Sequence, residues 1–120
     1  MGCTPESKFS GKVTKKLDTL IKQGHPLYYF VAMAGSIRGI PDIVGCYNGR
    51  FFAWELKPSL YEAEKTSGRI VLQRYTLGRI RQAQGQALIV HPDNFELSLH
   101  HLLHSPDLPP VPELLFSSSL

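Results

Sequence analysis

Three charged residues stand where charge is least expected. Asp42, Glu55 and Lys57 fall inside two apolar runs, among Ile43, Val44, Phe51, Phe52, Ala53, Trp54 and Leu56. Carboxylates in such a setting are unfavourable unless something offsets their charge. A divalent cation does so: closely spaced hard oxygens suit Mg²⁺ or Mn²⁺, which bind through one or two carboxylates plus waters and phosphate oxygens. A charged lysine does not ligate, but it can hold a water or stabilise charge on a phosphate. The plainer alternative is a structural ion pair, with Lys57 neutralising one acid at an exposed hairpin end.

Whether the three residues meet depends on the elements that carry them. Residues 40–47 and 50–57 are strand-like runs separated by Asn48-Gly49, a strong signal for a two-residue hairpin turn. Such a turn pairs Tyr47 with Arg50 and, counting outward, sets Asp42 opposite Glu55. Facing residues in an antiparallel pair have Cβ atoms roughly 4.5–5.5 Å apart. Lys57, two residues beyond Glu55, shares their face.

The remaining elements follow from caps and periodicity. Thr4-Pro5-Glu6 predicts a helix start, with Thr4 as N-cap and Pro5 at the first helical position, and Gly24 supplies the stop. Phe9, Val13, Leu17 and Leu20 form its inward stripe; Lys8, Lys12 and Lys15 form a separate basic face, on which Lys8 and Lys12 are candidates to contact DNA phosphates. Glu6, three residues before Phe9, falls on the inward stripe. Residues 26–34 read as a strand leading into the loop at 35–39, which sets Ser36 and Arg38 beside the acids as DNA-contacting candidates. Residues 58–69 read as a loop, residues 70–84 as a helix closed by Gly85, residues 87–90 as a buried strand and residues 94–104 as a last helix. On the helix at 70–84, Gln73 lies at helical spacing with Leu77, Ile80 and Gln84, facing the sheet, and a polar residue there needs a partner. Arg74 and Arg81, seven residues apart on that helix, suggest a phosphate-contacting surface.

Helix, three strands, helix, strand, helix implies an α/β fold, a mixed sheet with helices on both faces. Both faces of the hairpin are apolar apart from the charged group, as expected for a sheet covered on two sides. Of 120 residues, 42% are hydrophobic and 19% charged, which fits one domain over residues 1–104, followed by an apolar tail at 105–120 containing Pro106, Pro109, Pro110 and Pro112. A formal charge of +3 permits nucleic-acid binding without requiring it. There is no apolar run long enough for a bilayer and no recognisable export signal. The two cysteines, Cys3 and Cys46, make neither a disulfide framework nor a zinc spacing, and Cys46 reads as a small core residue. A cytoplasmic protein is expected, including one encoded by a virus and acting in its host's cytoplasm. His100, His101 and His104 include an i, i+4 pair, but no glutamate in zinc-protease order accompanies them, so they read as surface histidines.

Pro41-Asp42 followed by Glu55-Leu56-Lys57 resembles the PD-(D/E)XK nuclease superfamily. Within it, GSIRGIPDIVGCYNGRFFAWELK, then Gln73 and AQGQALIV, resembles the VRR-NUC family of virus-type replication-repair nucleases, over about residues 5–97. The resemblance implies an α-β-β-β-α-β core and phosphodiester hydrolysis with Mg²⁺ or Mn²⁺. It makes Asp42, Glu55 and the Leu56 backbone carbonyl metal ligands, and Lys57 the group that positions the attacking water. Glu6 would match the family's first-helix acid, a metal or water ligand, and Gln73 its helix glutamine. The implied substrate is branched DNA such as a Holliday junction, in replication, recombination or repair. The alternatives are a flap or nicking endonuclease, or a non-catalytic nucleic-acid-binding module on the same fold. A homodimer is also implied, and Leu108, Val111, Leu114, Leu115 and Phe116 of the tail could pack across it.

Overall fold

The computed structural model describes residues 4–32, 39–64 and 68–104. Ser36, Arg38, Cys3 and the tail at 105–120 lie outside the described residues. The first helix, α1 (Pro5–Lys22), begins as its sequence predicts: Thr4 is extended, Pro5 opens the helix, and the Ser7 N–H donates to Thr4 Oγ1 at 3.0 Å. It ends on Gly24 at φ +95°, where the Gly24 N–H reaches the Ile21 carbonyl at 3.0 Å and the His25 N–H reaches Leu20 at 3.1 Å. These two bonds satisfy carbonyls that the last turn would otherwise leave open.

The sheet contains β1 (Leu27–Val31), β2 (Ile43–Tyr47), β3 (Arg50–Leu56) and β4 (Gln86–Val90), in that spatial order. β1, β2 and β3 are antiparallel neighbours, and β4 runs parallel to β3. Asn48 at φ 50° and Gly49 at φ 85° give the two left-handed positions that a tight hairpin turn requires. The register is the predicted one, running from Tyr47 opposite Arg50 to Ile43 opposite Trp54. A helix, α3 (Gly68–Gln82), makes the crossover to β4, and α4 (Phe95–His104) follows. The chain is therefore mixed α/β, with an open four-stranded sheet flanked by helices.

The two faces of the sheet are covered unequally. On the first, Ile43, Phe52, Trp54, Leu56 and Val90 pack with Phe9, Val13, Leu17 and Leu20 of α1 and with Phe95, Leu99 and Leu102 of α4. Phe95 sets its ring edge-on to both Phe9, with centroids 5.8 Å apart, and Trp54, at 6.3 Å. Each large side chain so buried contributes roughly 1.5–3 kcal/mol, which makes this layer the main source of stability. On the second face α3 rests on β3 and β4, over Ala53 and Ala87, with Leu77 buried. Over β1 and β2 the second face is only partly covered, with Val44 buried there. Cys46 is exposed there, not buried as expected, and so are Tyr28 and Phe30, as is Phe51 opposite Cys46 on β3. The expectation of cover over the whole hairpin fails because α3, the crossover helix, packs chiefly against β4 and β3.

Two further expectations need correction. The segment at 58–69 is not all loop, because α2 (Leu60–Glu64) lies within it. Ser59 starts this helix: its Oγ accepts from the Glu62 N–H at 3.2 Å, and its carbonyl accepts from Ala63 at 3.0 Å. Ser59-x-x-Glu62 is an N-terminal capping signature that the neighbouring turn-forming residues obscure. At the end of α3, the left-handed residue is Gln84 at φ 73°, not Gly85. The Gln84 N–H bonds Arg81 at 2.9 Å and the Gly85 N–H bonds Ile80 at 2.9 Å, so the closure repeats that of α1 without its glycine. Gly85 meets another need, since a Cβ there would lie 2.8 Å from Ile80 Cγ2 and 3.1 Å from a Phe51 ring carbon. No helix among the described residues is long and apolar enough to cross a membrane.

A side chain in the left-handed region is strained by roughly 1–2 kcal/mol, and glycine removes the strain. Gln84→Gly is therefore expected to raise the stability of the domain by about 1 kcal/mol in urea unfolding at unchanged m-value. A lower midpoint for the variant would show that the Gln84 side chain offsets its own backbone strain.

Candidate active site

Asp42 immediately precedes β2, one step beyond the Ile43–Trp54 pair, so the next position across the hairpin is Glu55. Its backbone carbonyl accepts from the Ala32 N–H at 2.8 Å, which extends the ladder with β1. Its side chain turns toward β3, where Oδ2 accepts from the Leu56 N–H at 2.8 Å. The carboxylate thus takes the place of a backbone acceptor at the end of the hairpin. This bond fixes it beside Glu55.

Glu55 is held differently. It lies on the α3 side of β3, with only 2% of its surface exposed. Lys57 Nζ stands 3.4 Å from its Oε2 and also donates to Gln73 Oε1 on α3 at 3.3 Å. The Lys57 backbone N–H bonds the Val90 carbonyl at 2.9 Å, which carries the parallel β3–β4 ladder one residue past the strand. Lys57 is thus fixed at both its backbone and its ammonium group. The other carboxylate oxygen of Glu55, Oε1, is buried and has no hydrogen-bond partner. Burial, then the charge of Asp42, pushes the Glu55 carboxyl up to about 7, against the opposing pull of Lys57.

The ion pair of the plainer reading is present, but it is buried rather than placed at an exposed hairpin end. It also satisfies only half of Glu55. An unpartnered buried carboxylate oxygen beside a second carboxylate is a pair of hard oxygens to which a divalent cation could bind, and Asp42 and Glu55 are the residues that could hold it. The Leu56 carbonyl lies between Glu55 and Lys57 in the chain, on the residue whose N–H holds Asp42.

Asp42, Glu55, Lys57 and Gln73 are therefore brought together. The other candidates are not. Glu6 is exposed, as is the whole first turn of α1 at 4–8, because the inward stripe begins only at Phe9. Among the described residues, no group of three or more His, Cys, Asp or Glu side chains assembles as a metal site, so Glu6 does not join the other two acids. Its place in the first turn suits the helix dipole instead. Lys8 and Lys12 are exposed on α1. Arg74 donates to the Ala63 carbonyl at 3.0 Å, tying α3 to α2, and Arg81 Nε donates to the Ala87 carbonyl at 2.7 Å, tying α3 to β4. Burial lowers the Arg81 guanidinium from its ordinary value. Both arginines thus have structural partners that helical spacing does not reveal. His100 and His104 are exposed with ring centroids 4.7 Å apart.

One residue near the site escapes sequence reasoning. His91 follows β4 at the position that continues its parallel register opposite Lys57, and it is buried with Nδ1 unpartnered. The available signal is its place at the carboxyl end of a parallel strand, where sites in such sheets collect.

Compared with protein-family models, with curated proteins and with solved structures, the chain matches none.

The raised Glu55 value has a definite consequence for stability. Between about 4.5 and about 7 the folded chain holds a proton that the unfolded chain releases, so this group's contribution is lost as pH rises through that window. In EDTA, Glu55→Gln is expected to melt higher than wild type near pH 7.5, with a smaller difference near pH 5. Equal pH profiles for the two proteins would show that Glu55 is not held under this tension.

Proposed function

We propose that this chain is a Mg²⁺- or Mn²⁺-dependent endonuclease that hydrolyses phosphodiester bonds in DNA. One observation carries the reading: Glu55 is buried beside Asp42 with Oε1 unpartnered, while Lys57 and Gln73 hold its other side. A group kept only for stability is readily replaced by apolar side chains, and half-satisfied acids are the costly form of it. The element order supports the same reading, since apart from the short α2 it runs helix, three strands, helix and strand, the core order of the PD-(D/E)XK nucleases it resembles.

Asp42 and Glu55 would hold the cation, with the Leu56 carbonyl as a further oxygen. When bound, that cation supplies Lewis acidity toward a phosphate and lowers the pKa of a water. Lys57 orients the attacking water and offers its charge to the phosphoryl oxygens as charge develops there. Gln73, through Oε1, fixes the ammonium group so that it need not be ordered when substrate arrives. The water gives up a proton to solvent as its oxygen forms a bond to phosphorus, the bond from phosphorus to the leaving sugar oxygen breaks, and that oxygen takes up a proton from solvent.

No separate sequence-reading motif is evident in the chain, which favours recognition of DNA shape and backbone, with branched DNA such as a four-way junction as substrate. A flap or nicking endonuclease would use the same centre. A non-catalytic nucleic-acid-binding module also accommodates the Lys57–Glu55 pair, but it does not account for a second carboxylate, Asp42, set beside buried Glu55.

With Mg²⁺ or Mn²⁺ and labelled single strand, duplex, flap and four-way junction, cleavage is expected to be strongest on the junction. Asp42→Asn, Glu55→Gln and Lys57→Met should each lower it by at least about a hundredfold while the far-ultraviolet spectrum stays unchanged. Asn is chosen at 42 because it keeps an acceptor for the Leu56 N–H. Cleavage that survives in Asp42→Asn, from a preparation free of other nucleases, sinks the assignment.

Symmetric resolution of a junction needs two opposed cuts, and a two-fold homodimer supplies them. Light scattering at micromolar concentration is expected to give twice the chain mass. A single-chain mass both free and bound to a junction would favour the flap or nicking activity.

A further inference from the structure

The open half of the sheet lies in line with the candidate active site. On the α3 face the strand registers form three rows: Tyr28, Cys46 and Phe51; Phe30, Val44 and Ala53; and then Ala32, Asp42 and Glu55. Two residues separate successive rows, so each lies roughly 6.6 Å from the next. Tyr28 is 68% exposed, Phe30 49% and Phe51 44%, over a floor in which Val44 and Ala53 are buried. All the large side chains left in solvent along these rows are aromatic.

We propose that this surface is a stacking platform for unpaired nucleobases that flank the bond to be cut. The proposal rests on the nuclease reading for the position of the cut, but not for the binding itself. Aromatic rings accept bases of any sequence, because every base has a π face, and this suits a chain without a sequence-reading motif. A row spacing of roughly 6.6 Å lets neighbouring nucleotides of an extended strand meet Phe30 and then Tyr28 while the phosphate next to them meets the acids. Beyond Phe51 a cleft of about 270 Å³, lined by Thr76, Arg79, Ile80 and Ala83, carries the path toward α3 and brings the exposed Arg79 to its rim. Arg79 Nη1 donates to Gln82 Oε1 at 2.8 Å, and its remaining N–H groups can meet a phosphate backbone.

A second copy of this chain is the competing occupant. The three rings together expose about 300 Å², taking roughly 200 Å² for each whole side chain. A stable protein interface buries about 800 Å² on each partner. The exposed rings suit a few bases better than a subunit. The substrate class follows: DNA with a single-stranded stretch beside the cut, as at a flap or at a junction whose centre has opened.

The test measures binding of a fluorescein-labelled (dT)₁₂ strand and of a blunt duplex of equal length by anisotropy, with the 120-residue chain in EDTA so that no cleavage occurs. Wild type is expected to bind the single strand more tightly than the duplex. Tyr28→Ala and Phe30→Ala should each weaken single-strand binding by about tenfold, ~1.4 kcal/mol, and duplex binding by less than about twofold. Tyr28→Leu and Phe30→Leu keep apolar bulk without a ring and should weaken it similarly. Unchanged binding in the Tyr28→Ala, Phe30→Ala double variant, or a wild-type preference for duplex, overturns the platform. So does a loss of sedimentation mass in the alanine variants with single-strand affinity intact, which would assign the surface to contact between copies. Because the assay needs no metal, loss of binding in these variants alongside full cleavage by Glu55→Gln would refute the nuclease reading and keep the platform.

Discussion

The bond from the Leu56 N–H to Asp42 Oδ2 is the point on which the rest of the site depends. A carboxylate placed one step past the last pair of a hairpin would ordinarily turn to solvent. Here the backbone donor at the end of β3 draws it inward, and the antiparallel register leaves it nowhere to go but beside Glu55. Two like charges are then forced into proximity on a face that also excludes water from Glu55. Lys57 relieves part of that repulsion, and Gln73 reaches across from α3 to hold Lys57. Each of these contacts answers a problem created by the one before it.

This chain of contacts is possible because the sheet is covered unequally. The first face is filled by α1 and α4 around Phe52, Trp54, Phe95 and Phe9, a layer dense enough to fix β3 against displacement. The second face can then afford small residues, Ala53 and Ala87, that let α3 lie close and bring Gln73 to Lys57. Since α3 runs over β3 and β4, the site lies at the edge of its cover. Glu55 is sheltered, Asp42 is half-buried, and the rings of Tyr28 and Phe30 lie beyond in solvent. A fully covered sheet would shield the acids from any substrate, and a bare one would leave Glu55 hydrated and unperturbed.

Local chemistry made much of this legible in advance. Asn48-Gly49 sets the turn, the turn sets the register, and the register sets Asp42 against Glu55, all from properties of adjacent residues. The caps at Thr4 and Gly24 act over one helical turn and are equally readable. What escaped depends on distance or on partners. Cys46 lies in a run as apolar as the buried strands, and its exposure follows from where α3 stops. Arg74 and Arg81 look like a phosphate-binding pair by spacing, yet each finds a backbone carbonyl that no helical wheel displays. Glu6 obeys the inward periodicity, but periodicity does not say where the core begins along the helix. The α2 helix was available from Ser59-x-x-Glu62, a signal outweighed by the polar residues around it.

On the proposed reading, the strain at Glu55 is a property of the metal-free chain alone. A proton and a divalent cation answer the same deficit, since each neutralises a carboxylate that burial and Asp42 make costly to ionise. They therefore compete for it. In the absence of a cation the folded chain relieves the tension by holding a proton near neutrality, and loading the site requires that proton to leave. Lys57 sets the balance. Paired to Oε2 alone, it lowers the cost of ionising Glu55 without contacting Oε1. A lysine bonded to both oxygens would close the site, and a lysine turned to solvent would leave Glu55 protonated and unreceptive. The Gln73 bond holds Nζ between those extremes, so on the proposed reading a buried amide on α3, remote in sequence from both acids, would help keep the centre ready for a metal.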